Sequence, residues 1–118
     1  MMTKSELNEQ LATNVDKLNT LADKVADFII KNGVSTHTLM FNSRIIFLSN
    51  TLDAYIEDDT QVGEGFIHSV LASDIEYLKY YLDDVYPELF DTKRPTDELK
   101  EFDTIVGDVY NLFYYAIN

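Results

Sequence analysis

The sequence predicts an all-α protein, an antiparallel four-helix bundle, and three observations predict it. Four stretches carry apolar residues at alternating steps of four and three, the spacing that lines up one face of a helix. Helix breakers stand between them: Asn32-Gly33, the glycines at 63 and 65, and the prolines at 87 and 95. The chain also holds no cysteine and is 46% hydrophobic, so its core needs no disulfide or metal-thiolate staple. At 118 residues, with no internal repeat, it is read as one helical domain over 1–118.

The first helix is expected near 4–31. Thr3-Lys4-Ser5-Glu6 has the form of a capping box. Leu7, Leu11, Val15, Leu18, Ala22, Val25 and Ile29 form its stripe, widened by Leu21 and Phe28. Lys17, Lys24 and Lys31 recur at heptad spacing outside, with Asp27 placed to pair with Lys31. Gly33 supplies the stop, because glycine tolerates the positive φ of many helix ends.

The second helix is expected near 36–57, capped by Ser35 or Thr36. Phe41, Ile45, Leu48, Leu52 and Tyr55 are its seam. Leu39, Met40, Ile46 and Phe47 fall off that seam. A helix apolar on more than one side is central in its fold or meets another surface. Met40, Ile46 and Phe47 are therefore candidates for self-association, the alternative being cover from an off-parallel fourth helix. Arg44, beside the seam, is expected to pair with a carboxylate at the core edge, since its planar fork suits that geometry.

Residues 57–65 read as an acidic loop. Glu57, Asp58 and Asp59 are clustered, yet the spacing is not that of an EF-hand, which needs alternating oxygen ligands and a distal glutamate. The third helix is expected near 66–86, with Ile67, Leu71, Ile75, Leu78, Leu82 and Val85 as its seam and Pro87 as its end. Val70, Asp74, Tyr77 and Tyr81 form a shoulder beside that seam, and Ser73, Tyr80 and Asp84 lie farther towards solvent. Leu89 and Phe90 are expected to tuck over the bundle end. The fourth helix is expected near 96–117, capped by Thr96. Its stripe is Leu99, Phe102, Val106, Val109, Phe113 and Ile117, widened by Ile105, Tyr110 and Leu112, with Glu101, Asp108 and Tyr115 opposite.

The net charge of −12 is unevenly placed, with −1 over residues 1–32 and −4 over each of 33–64 and 65–90. Such a field repels nucleic acid and anionic membrane and draws in basic partners. No apolar run approaches the roughly 20 residues of a membrane span, and the N-terminal residues lack the apolar segment of a signal peptide, so a cytoplasmic protein is expected. The two histidines, His37 and His68, stand near helix starts without a nucleophile or carboxylate at a telling spacing, and are expected at the surface. No Glu-x-x-His, phosphate loop or G-x-S-x-G occurs. The expectation is a non-enzyme without cofactor or metal.

In size, charge and lack of a catalytic motif the chain resembles the small acidic inhibitors that phages use against host defences, anti-CRISPR proteins and DNA mimics among them. The resemblance implies a basic, nucleic-acid-binding partner whose surface is occupied and blocked. Tyrosine, with 8 copies, suits interfaces because it joins a rigid apolar ring to a polar tip. Partner contact is therefore expected at Glu57, Asp58, Asp59, Asp74, Tyr77, Tyr80 and Asp84. The alternative is a self-assembling structural or regulatory protein, a homodimer through the second helix. A bundle of the bacteriocin-immunity type ranks behind both, since such proteins tend to be more basic.

Overall fold

Helix α1 (Lys4–Asn32) starts where Thr3 accepts the Glu6 N–H at 3.1 Å. The Glu6 carboxylate takes the Thr3 hydroxyl, not its backbone N–H, so only half of the expected capping box forms. At 1.5 Å per residue this helix is about 43 Å long, close to the molecule's longest extent of 47 Å. It ends at Gly33, whose φ of +90° is the only positive φ among the described residues. The computed structural model describes residues 2–81 and 94–117, of which residues 115–117 are described by backbone alone.

Helix α2 (Thr36–Glu57) begins at Ser35, which exchanges hydrogen bonds with Thr38 in a complete capping box. Helix α3 (Glu64–Lys79) begins two residues before the sequence suggested. The Gly63 carbonyl accepts from both Phe66 and Ile67, so Gly65 is inside the helix and not in the loop. Helix α4 (Thr96–Ile117) spans the expected residues, and only its cap differs. Thr96 is its first residue and not its cap, because the Pro95 carbonyl already accepts the Leu99 N–H.

Among the described residues there are four helices and no strand, and they form an all-α bundle. α1 packs along α2 and α4, and α3 closes the square against α4 and α2. Cross-links fix the directions. Ser49 bonds Asn19 and Lys4 meets Tyr55 and Asp59, while Lys24 reaches Glu101 and Asn14 lies near Asp108 and Asn111, so α1 runs antiparallel to both neighbours. Tyr55 to Glu64 and Arg44 to Asp74 set α2 antiparallel to α3. Phe41 on Phe102 and Tyr55 on Phe113 tie α2 to α4 across the centre as edge-to-face pairs.

The predicted seams of α1, α2 and α4 are the core: Leu11, Leu18, Val25, Phe41, Ile45, Leu48, Leu52, Leu99, Phe102, Val106, Val109 and Phe113 are sealed from solvent. α3 keeps Ile67, Leu71 and Leu78 of its expected seam buried but is turned in part towards the shoulder. Ile75, placed in the seam, is 41% exposed, while Val70, Asp74, Tyr77 and Tyr81 of the shoulder are buried. The turn follows from Arg44, which reaches across from α2 to hold Asp74 and draws that flank inward. Leu82, Asp83, Asp84, Val85, Pro87, Leu89 and Phe90, together with the side chains of Tyr115 and Ile117, lie outside the described residues.

Candidate functional site: a groove between α2 and α3

Of the four neighbouring helix pairs, α2 and α3 touch least. Between them lies a groove of about 700 Å³, within the usual size of ligand sites. Leu39, Met40 and Phe47 of α2 and Val70 of α3 give it apolar walls. The three α2 residues are among the four that fell off the predicted seam. They are each about half exposed, so no fourth helix covers them. Phe47 meets Phe66 of α3 edge to face at one end, and Phe66 is also half exposed.

Serines keep the groove open because they are small. Ser43 donates its hydroxyl to the Leu39 carbonyl and Ser69 donates to the Gly65 carbonyl. Both hydroxyls are thus turned back on their own helices. The polar centre is Arg44. Its Nη1 donates to Asp74 Oδ1 at 3.0 Å and to Ser73 Oγ at 3.3 Å, and its Cζ stands 4.2 Å from the centre of the Tyr77 ring. The guanidinium is thereby held by a carboxylate, a hydroxyl and an aromatic face.

Asp74 lines the groove and is only 3% exposed. Its second oxygen, Oδ2, is buried without a hydrogen-bond partner. Burial therefore raises the Asp74 pKa to about 6, against an opposing pull from Arg44. Charged buried groups are costly unless every lone pair is used, so this carboxylate is under-satisfied as the fold stands.

The expected contact residues divide. Glu57, Asp59 and Tyr80 are exposed, and Asp58 is half-buried. Asp58 accepts the Thr60 hydroxyl and backbone N–H, which holds its carboxyl below the ordinary value. Asp59 bonds Lys4 at 3.1 Å, and Lys4 also lies 3.6 Å above the Tyr55 ring. Desolvation lowers the Lys4 pKa, but the Tyr55 and Asp59 contacts outweigh it and raise the value overall. The acidic loop is thus fastened to the start of α1.

Asp74 and Tyr77 correct the expectation of a solvent-facing tyrosine and aspartate flank. Both are interior, one as the partner of Arg44 and the other as the surface beneath it. Asp84 lies outside the described residues. Of the self-association candidates, Met40 and Phe47 line the groove, whereas Ile46 is exposed away from it. Asp27 and Lys31 form no ion pair among the described residues, whereas Lys24 pairs with Glu101 and joins two helices.

The histidines, expected at the surface, are both half-buried. His37 Nδ1 shares a hydrogen bond of 3.1 Å with the Tyr81 hydroxyl, and His68 packs edge-on against Tyr110 and Phe113. Among the described residues no three of His, Asp or Glu gather as metal ligands, and no helix is long and apolar enough to cross a membrane. Sequence reasoning found Arg44, Met40 and Phe47 but missed that they share one groove. The facing small residues Ser43, Ser69 and Ser73 were the available signal. No known protein family matches the chain, and no curated protein or solved structure matches it either.

Proposed function

We propose that the chain is a non-enzymatic, acidic protein-binding protein that docks a basic partner at the α2–α3 groove. The observation that carries this reading is the uncovered apolar wall of Leu39, Met40 and Phe47 beside the Arg44–Asp74 pair. Monomeric proteins rarely leave contiguous apolar surface open without a use for it. Charge supports the choice of partner. Residues 33–78 hold seven acids against Arg44, so a cationic protein is drawn to α2, α3 and the loop between them.

In its finer form the partner is a nucleic-acid-binding protein. The chain would occupy its basic surface and so act as an inhibitor, in the cytoplasm, after the manner of anti-defence proteins that mimic nucleic acid. Immobilised chain would be challenged with cell lysate at low and high salt, with duplex DNA as competitor. Basic proteins should be retained at low salt, released by excess DNA, and lost with Phe47→Asp. Retention indifferent to DNA would remove the inhibitory form, and failure to retain any basic protein would remove the reading itself.

A second reading is a homodimer, favoured by the exposure of Ile46 beside that of Met40 and Phe47. Light scattering after size exclusion decides it. A monomer at every concentration sinks this alternative.

A further inference from the structure

The outer face of α2 is arranged symmetrically about one serine. Leu39 and Phe47 stand four residues to either side of Ser43, and Met40 and Ile46 stand three. Thr36 and Asn50 lie seven residues out in each direction. At 3.6 residues per turn these steps keep all of them on one face, and all are exposed. The sealed seam of Phe41, Ile45, Leu48 and Leu52 is on the opposite side of the helix. The outer stripe is therefore a second face in its own right.

That stripe reads the same from either end: polar, apolar, small, apolar, polar. A half-turn about an axis through Ser43 carries each half onto the other. When a second α2 is laid antiparallel on this face, Leu39 meets Phe47 of the second copy, Met40 meets its Ile46, and Thr36 meets its Asn50. A two-fold dimer requires a self-complementary patch of this kind. Ser43 at the crossing point is small, which lets the two helices approach closely. Phe66, edge-on to Phe47, carries the apolar area onto α3.

Charge permits the contact. No Asp or Glu occurs between Asp27 and Asp53, in a chain of 21 acids and net charge −12. The charged residues lining the groove, Arg44 and Asp74, neutralise each other. Two acidic chains thus meet least repulsion across this face. Antiparallel pairing also keeps the exposed Asp53 and Glu57 away from their counterparts, whereas parallel pairing sets like charges side by side.

We propose that a second copy of the chain covers the outer face of α2, the two α2 helices lying antiparallel and crossing at Ser43. This rests on the homodimer reading of that face and fixes its geometry. The groove is then closed in the free dimer, and another protein reaches it by displacing the copy.

The chain has no cysteine, so single introduced thiols report the geometry. Ser43→Cys sets two thiols at the axis, and oxidation should convert most of the chain into a disulfide dimer. In Asn50→Cys the thiols stand about 21 Å apart along the pair, beyond the roughly 7 Å reach of a disulfide, and no such dimer should form. Thr36→Cys should behave likewise. A mixture of these last two should cross-link, because each position faces the other. Circular dichroism checks that the variants fold. Light scattering after size exclusion should show the mass of the unaltered chain rising with concentration towards that of a dimer. Phe47→Asp, at an exposed position, should weaken the dimer at least about tenfold, since symmetry applies the change twice.

A monomer at every concentration overturns the homodimer reading and this geometry with it. A dimer that Ser43→Cys does not cross-link, or that Asn50→Cys cross-links by itself, overturns the antiparallel crossing and leaves the homodimer standing. A dimer indifferent to Phe47→Asp puts the contact on another face and overturns the crossing as well.

Discussion

Arg44 holds one oxygen of Asp74 at 3.0 Å and leaves the other without a partner, so the strongest polar contact between α2 and α3 is half made. The pair sits beside an open groove, where helix packing is thinnest. Its chemistry should be readable in solution.

Asp74 should give the protein a pH-dependent stability opposite in sign to that of an ordinary salt-bridged aspartate. Its folded-state pKa is raised to about 6 from an ordinary 3.8. The folded state therefore holds this proton more tightly than the unfolded chain. The resulting stabilisation is complete below the ordinary value and is lost as pH rises through about 6. The loss amounts to about 2–3 kcal/mol. Urea unfolding of the unaltered chain and of Asp74→Asn across this range checks it. Their difference should fall as pH rises, since other carboxylates cancel between the two proteins.

Arg44→Met should destabilise the fold by about 2 kcal/mol at mildly alkaline pH, where Asp74 is charged. Without the guanidinium the Asp74 pKa rises further. The carboxyl is then neutral at mildly acidic pH in either protein, and the deficit should shrink there. Paired denaturation curves at the two pH values measure this. A deficit that grows on acidification would contradict the role assigned to Arg44.

The rotation of α3 can be tested by truncation. Leu48→Ala and Leu78→Ala remove sealed side chains and should each cost about 2–5 kcal/mol. Ile75→Ala, at a position 41% exposed, should stay within about 1 kcal/mol of the unaltered chain. The orientation predicted by periodicity alone would have put Ile75 with the first two.

Lys4→Ala should cost about 0.5–1 kcal/mol, since it removes an exposed ion pair with Asp59 and a cation–π contact with Tyr55. Its clearer signature should be faster hydrogen exchange across residues 58–63, which lose their tie to α1. Unchanged exchange there would show that the Asp58–Thr60 turn holds the loop by itself.

Helix extents and three of the four core faces were legible because burial imposes a 3.6-residue period that polar positions respect. Phe41, Ile45, Leu48 and Leu52 show it in α2, and Leu99, Phe102, Val106 and Val109 in α4. α3 was misread at Ile75, though not at Ile67, Leu71 or Leu78, because its period is shared by two adjacent stripes, one apolar and one of aspartate and tyrosine. Only a partner 30 residues away, Arg44, decides which turns inward. Sequence spacing pointed to a carboxylate for Arg44 but could not choose among 21 acids. Glu57, Asp59 and Tyr80 were correctly expected outside, whereas Asp74 and Tyr77 were not. The groove itself has no periodic signal. It is a gap, set by Ser43, Ser69 and Ser73 being small where Leu39, Met40 and Phe47 are large.

Those serines also bear on how the protein would respond to selection. Ser43→Leu or Ser69→Leu would fill the space between α2 and α3 with hydrocarbon and let the helices grip each other. Heat tolerance should rise with each such replacement, by the gain that apolar burial brings. The groove, and with it the docking surface proposed there, would vanish in the same step. A library screened for thermal resistance alone should therefore collect groove-filling variants, whereas one screened for capture of the proposed partner should retain small residues at both sites and accept a looser fold.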